Sequence, residues 1–142
     1  MADYTNRFTE VNVILDKMDN TGHNGGESTE WVSMANYHRA FVEVITGALG
    51  GTLDVAIWQA TNAAGAGAKV VAGKAITQLT AADDYDCCGI ELQTEELDSA
   101  GGFDYIRVQT NSSAVNVFAI MVYGVVPRYP PGSTTGWDEV VT

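Results

Sequence analysis

The sequence predicts an all-β chain: a β-sandwich or jelly-roll-like single domain with extended N- and C-terminal arms. Between residues 31 and 123, short apolar runs alternate with Gly, Asn and Asp punctuation, the spacing of strands separated by turns. Several of those runs have a period of two, which puts one face of a strand in a core and the other in solvent. The chain has 142 residues, 46% of them apolar and 18% charged, an ordinary composition for one ordered domain. A domain of this size buries roughly two-thirds of its unfolded surface without a metal or disulfide staple. The domain is expected over residues 1–126, including an N-terminal strand or arm, with an extended tail over 127–142.

Residues 8–15 suit a first strand, with Val11, Val13 and Leu15 alternating with Asn12 and Ile14. Residues 19–26 pack turn formers so densely that an exposed loop is expected. The strongest strand signal is 39–46, where Ala40, Val42 and Val44 share one face and Arg39, Phe41, Glu43 and Ile45 the other. Gly47, Gly50 and Gly51 suit a reversal, after which Leu53, Val55 and Ile57 form a second inward row opposite Asp54, Ala56 and Trp58; a β-hairpin is the expectation. The Gly/Ala run 63–68 is a loop before a strand at 69–79 bent at Gly73. Residues 83–86 mark a turn, 89–93 a strand with Ile90 and Leu92 alike, and 95–98 a single helical turn. Residues 105–110 alternate, Ile106 and Val108 inward and Arg107 and Gln109 outward. The run 114–123 is apolar on both faces, so it is either a central strand of the sandwich or one covered outside by another subunit. About seven or eight strands with little helix result. Pro127, Pro130 and Pro131 favour an extended path that cannot continue a ladder, and Trp137 in the polar tail is expected to dock, on its own domain or on a partner.

Charge narrows the partners. Eighteen acidic residues against seven basic ones give a formal charge of −11, and the basic ones (Arg7, Lys17, Arg39, Lys69, Lys74, Arg107 and Arg128) are scattered. Nucleic acid and anionic membrane surfaces both need a basic patch, so neither is an expected partner. No stretch is long and apolar enough to span a bilayer, and the N-terminus has neither the basic start nor the apolar core of a signal peptide; a soluble chain not secreted by the ordinary route is expected. Cys87 and Cys88 are adjacent and without a third cysteine, so two free thiols are expected.

Catalytic chemistry has little to work with. His23 and His38 are the only neutral-pH bases, and neither lies in a Gly-x-Ser-x-Gly or HExxH setting. Asp84, Asp86, Cys88 and Glu95 have the spacing of a calcium loop, but a thiol stands where a hard cation wants oxygen and the flanks read as strands. No Gly-rich segment ends in Gly-Lys-Ser or Gly-Lys-Thr, so a phosphate cradle is unsupported. Trp31, Tyr37 and Trp58 have the residue types of a sugar-stacking platform, although Trp58 also has an ordinary packing place in a strand. No catalytic, metal or cofactor-binding residue is therefore assigned, and no enzyme is expected.

The segments Arg39-Ala40-Phe41-Val42, Gly50-Gly51-Thr52-Leu53-Asp54-Val55, Asn62-Ala63-Ala64-Gly65-Ala66-Gly67-Ala68-Lys69 and Gly73-Lys74-Ala75-Ile76-Thr77-Gln78-Leu79-Thr80 occur in order. Ile90-Glu91-Leu92, Glu95-Glu96-Leu97-Asp98, Gly102-Phe103-Asp104-Tyr105-Ile106-Arg107-Val108 and Gly124-Val125-Val126-Pro127-Arg128-Tyr129 follow. Over about residues 31–131 this series resembles a family of small tailed-bacteriophage virion proteins. The resemblance implies a decoration or cement role on the outer surface of the capsid; joined to the physics of contact area it makes the major capsid protein and further copies of the chain, as a homotrimer at a local threefold site, the expected partners. It carries no catalytic residue across. Candidate subunit or shell contacts are Trp58, Phe118, Ile120, Val122, Tyr129 and Trp137, on the outer faces of 52–58 and 114–123 and in the tail. Trimers of so acidic a chain should assemble better in salt. The rival readings are a carbohydrate-binding or host-contact module and a head-to-tail connector or tail component.

Overall fold

The computed structural model describes residues 8–20, 22, 24–129 and 136–141. Among the described residues a helical turn, α1 (Phe8–Val11), is followed by nine strands: β1 (Asn12–Asn20), β2 (Gly25–Ser28), β3 (Val32–Ser33), β4 (Tyr37–Leu49), β5 (Leu53–Ala60), β6 (Lys69–Ala75), β7 (Cys87–Gln93), β8 (Tyr105–Ser112) and β9 (Asn116–Pro127). Short 3-10 turns at Ala81–Asp83, Thr94–Glu96 and Ser99–Gly101 lie in the connections. One sheet has the order β1-β9-β4-β7; the other has β2-β8-β5-β6, with β3 also on β8.

Every ladder is antiparallel, and the pairing is nested. β1 pairs β9, β2 and β3 pair β8, β4 pairs β7, and β5 pairs β6. With β2 and β3 as one interrupted strand, this is a long hairpin of four strand pairs wound into two facing sheets, the path of a jelly roll. The hairpin expected between 39–46 and 53–57 does not form: β4 and β5 lie in opposite sheets. Both inward rows are correct, since Val42, Val44, Leu53, Val55 and Ile57 are all buried, but they face each other across the core instead of lying side by side. Alternation reports which face is buried and is silent on which strand sits alongside. The chain crosses between sheets at Gly50 and Gly51, where Asn116 Nδ2 donates to the Thr52 carbonyl (2.9 Å) and Gly51 N–H donates to Asn116 Oδ1 (3.0 Å).

The core is built from β-branched and leucine side chains that suit a pleated surface, among them Ile57, Ile106, Val108, Ile120 and Val122. Each such side chain, fully buried, contributes about 1.5–3 kcal/mol of transfer free energy. Three polar side chains inside are satisfied at the joints. Thr29 Oγ1 accepts from Val108 N–H (3.0 Å), Thr46 Oγ1 accepts from Asp86 N–H (2.8 Å), and Gln59 Oε1 accepts from Asp98 N–H (2.8 Å), each pinning a loop to a strand.

Local expectations shift at the ends. Residues 8–11 form a helical turn rather than the start of a strand, and β1 runs on through Asp19 and Asn20, which read as loop formers, because β9 offers them ladder partners at Ala119 and Phe118. Gly25 and Gly26 likewise belong to β2, held by Ser112 and Asn111. Val13 and Ile14 point to opposite faces and are both buried, Ile14 against Gly136, before a register shift between Ile14 and Asp16. The strand expected over 69–79 stops at Ala75; Gly73 has φ +74, a conformation that suits glycine, and only Leu79 rejoins the sheet, by a single bridge to Leu53.

Candidate interaction surfaces

The outer face of β5 and β8 carries a cross-strand row. Trp58 stands opposite Arg107 on one side and Val70 on the other, and the Arg107 guanidinium lies 4.6 Å from the centre of the Trp31 ring. Arg107 Nη2 also donates to Gln109 Oε1 at 3.1 Å, while its Nε is buried without a partner among the described residues. Gly65, at φ +81, lets the Gly/Ala loop come down onto the Trp31 ring, where a Cβ would clash with the indole. Trp31 and Trp58 are therefore neighbours through Arg107, as a cation–π arrangement favours. Tyr37 is not: it sits on β4 in the other sheet, its ring stacked over Gly124, so the three-aromatic platform does not assemble.

The second surface is the outer face of β1, β9, β4 and β7. The expectation for β9 needs correcting here. Phe118, Ile120 and Val122 are buried between the two sheets, so they cannot be subunit or shell contacts. Parity is the reason: in a strand apolar on both faces the sequence does not tell inside from outside, and the outward set is Val117, Ala119, Met121 and Tyr123. β9 is the central strand that one of the two sequence readings foresaw, flanked by β1 and β4.

At one end of this face Phe8, Gly136 and Trp137 provide cover. Phe41 and Tyr123 stack at 6.3 Å, Phe8 meets Tyr123 edge-on at 6.0 Å, and Trp137 meets Phe8 edge-on at 6.3 Å. Gly136 lies against Ile14 so closely that a side chain would not fit. Of the two outcomes open for Trp137, the structure has the indole folded back on its own domain, with Nε1 buried and unpartnered among the described residues. Tyr129 projects into solvent, 79% exposed.

Beside these aromatics runs a groove of about 580 Å³, with Phe8, Phe41 and Tyr123 as an apolar floor and Arg39, Glu43 and Lys74 on its rim. Tyr123 donates to Glu43 Oε2 at 3.0 Å; burial, the hydrogen bond and the carboxylate charge together push the phenol up to about 12. Lys74 bridges the two sheets, donating to the Glu91 carbonyl (2.8 Å) and pairing with Glu96 (2.8 Å). The Lys74 and Gln93 N–H hydrogen bonds hold Glu96 below the usual carboxylate range. Sequence reading missed Phe8 as a cover residue because an aromatic at the mouth of a strand carries no mark of what it lies on.

The chemistry considered from spacing does not converge. Among the described residues no three His, Cys, Asp or Glu side chains stand where they could hold a metal ion. Asp84 of the calcium-like spacing accepts from Leu49 N–H at 2.7 Å and closes a turn. Cys88 has its thiol pushed up by burial and by Asp86, Asp83 and Cys87. His38 lies in β4, and its carbonyl accepts from Thr94 Oγ1; His23 lies outside the described residues. No helix among the described residues is long and apolar enough to cross a membrane.

No family model matches the sequence, and no curated protein matches it. Solved structures with a similar chain path include a chain of the native virion of Kashmir bee virus at neutral pH (12% identity, TM-score 0.45, covering 93% of this chain and 80% of that one). A chain of the naturally occurring empty particles of Cowpea mosaic virus is similar at 9% identity and TM-score 0.47, over 94% of this chain and 98% of that one. The CBM22-1-GH10 modules of Clostridium thermocellum xylanase 10B, complexed with xylohexaose, match at 10% identity and TM-score 0.41, over 81% of this chain and 26% of that one. The jelly-roll path follows from the strand pairing and owes nothing to these likenesses.

Proposed function

We propose that this protein is a non-enzymatic virion component, a decoration or cement protein that binds the outside of a bacteriophage head at seams between coat subunits. The observation that carries the reading is the outer face of the β1-β9-β4-β7 sheet. There the jelly roll presents apolar side chains on the side away from its core, covered among the described residues by Phe8, Gly136 and Trp137 at one end. The ordered segments over 31–131 that resemble tailed-phage virion proteins support the same reading. Cement acts by contact area, and clustering several copies into one cap raises their effective concentration, so that simultaneous release of all attachments is rare. The expected cap is a homotrimer, and Tyr129, exposed beyond β9, is available to the shell.

A reconstruction of the intact particle tests this directly: many evenly spaced copies over the head are expected, and a ring of low copy number would indicate a connector or tail component instead. Heating particles with and without the protein should show earlier genome release in its absence; equal resistance would count against cement. For the trimer, sedimentation at low and high salt should show assembly strengthening with salt, and a monomer under both conditions would dismiss it.

A second reading has one specific observation in its favour: the Arg107 guanidinium lies 4.6 Å from the centre of the Trp31 ring, and Arg107 stands opposite Trp58 in the ladder. Planar rings with an adjacent cationic donor suit stacking on a sugar. Glycan binding that Trp58→Ala abolishes would favour a carbohydrate or host-contact module over cement.

A further inference from the structure

Away from the termini, the same outer sheet face ends in a bare apolar patch. Ile45 on β4 stands opposite Ala119 on β9 and Cys87 on β7; Val117 follows Ala119 on the same side and packs against Gly47. Ile45 is 43% exposed, Val117 39% and Val115 53%, values high for aliphatic side chains in register with a buried core. The Tyr85 main chain is tied beside the patch by a hydrogen bond from its N–H to the Gly47 carbonyl (3.2 Å).

Tyr85 is anomalous on two counts. Its φ is +61, in the left-handed region that a bulky residue avoids, and its side chain is 77% exposed. The turn around it is over-determined, with Thr46 Oγ1 bound to both the Asp83 carbonyl (2.7 Å) and Asp86 N–H (2.8 Å), so the strain is maintained by the fold. Glycine or asparagine would fit that backbone better. A strained backbone that holds an aromatic ring out in water gains nothing for folding.

The patch has acid on both flanks. Asp19 on β1 is opposite Ala119, while Asp83 and Asp86 bracket Tyr85. Two copies meeting here would bring carboxylates against carboxylates, so charge disfavours self-association and favours a basic partner.

We propose that this patch docks a basic protein surface, with Tyr85 as an anchor entering an apolar recess ringed by Lys or Arg. Buried aromatic anchors inside a charged rim carry most of the energy of such contacts. The inference rests on the decoration reading, in which that surface belongs to the coat.

The test is titration of the full-length protein onto purified particles lacking it, with thermal unfolding of each variant alongside. Tyr85→Gly should leave the melting temperature unchanged or higher while weakening particle binding by about 30-fold or more. Tyr85→Asn, which also tolerates the left-handed backbone, serves if the glycine variant folds poorly. At a protein concentration where sedimentation shows one oligomeric state at every salt used, wild-type binding should weaken as salt rises, and Asp86→Asn should flatten that dependence. Wild-type-like binding by both Tyr85 variants, or binding indifferent to salt, overturns the inference and leaves the decoration reading standing. Failure of the wild type to bind particles overturns both. Dimerisation of the wild type that Tyr85→Gly abolishes overturns the basic partner and assigns the patch to a second copy.

Discussion

The two ends of one sheet face make the most instructive contrast in this molecule. At one end Ile14, Phe41 and Tyr123 lie beneath Phe8, Gly136 and Trp137; at the other Ile45, Val115 and Val117 lie open, with Tyr85 held out beside them. Both stand over the same core strands, β4 and β9, and both are apolar. What differs, among the described residues, is the cover: Phe8, Gly136 and Trp137 lie over one end and leave the other exposed.

The sharpest way to break that contrast is to work across a single strand. Phe118→Ala, which empties a core site beneath the bare patch, should cost about 3–5 kcal/mol, whereas Val117→Ala on the outside should stay within about 0.5 kcal/mol; denaturant melts of the pair check it. Equal losses would mean that the outer face is covered after all. Next, Asn116→Ala should cost about 1–3 kcal/mol, because Gly51 N–H and the Thr52 carbonyl lose their partner at the crossing between sheets.

At the covered end, alkali provides a milder probe. Tyr123 holds its proton more tightly in the fold than its ordinary value of 10.0, so its contribution is whole below pH 10 and is lost as pH rises through about 12. Stability should fall by on the order of 2 kcal/mol across that window, read from denaturation midpoints, and Glu43→Gln should narrow the loss by removing the carboxylate charge, while burial of the phenol and an amide-oxygen acceptor remain. Trp137→Ala should cost on the order of 1–2 kcal/mol through lost burial over Phe8, and should quench the near-ultraviolet dichroism of that aromatic cluster. The smallest effect is expected at the bare end, where Ile45→Ser should leave the melting temperature nearly unchanged. A large drop there would show that the patch is structural.

Legibility followed the physics of each signal. The inward rows Ala40/Val42/Val44, Leu53/Val55/Ile57 and Ile106/Val108 were readable because period two and burial are local properties. The turn at 83–86 was readable from its acids, but not that Tyr85 would be forced to positive φ, since Thr46 imposes that from β4. Phe118, Ile120 and Val122 were assigned to the wrong side because 117–122 is apolar at every position, and the one polar residue of the run, Asn116, shares their buried face. Neither Phe8 nor the pairing of Trp31 with Trp58 through Arg107 had a signal in residue spacing, since each depends on where a distant segment comes to lie.

Taken alone, then, the order of residues determined an acidic, cysteine-poor chain of alternating strands whose buried faces are correct over most of its length. Sheet membership, the exchange of the expected hairpin for a crossing between sheets, and the choice of which half of an apolar face stays bare were decided by tertiary structure. Alternation is set within a few bonds of each side chain, whereas pairing and cover are set by which of several equally apolar segments close the chain with every backbone N–H and C=O satisfied.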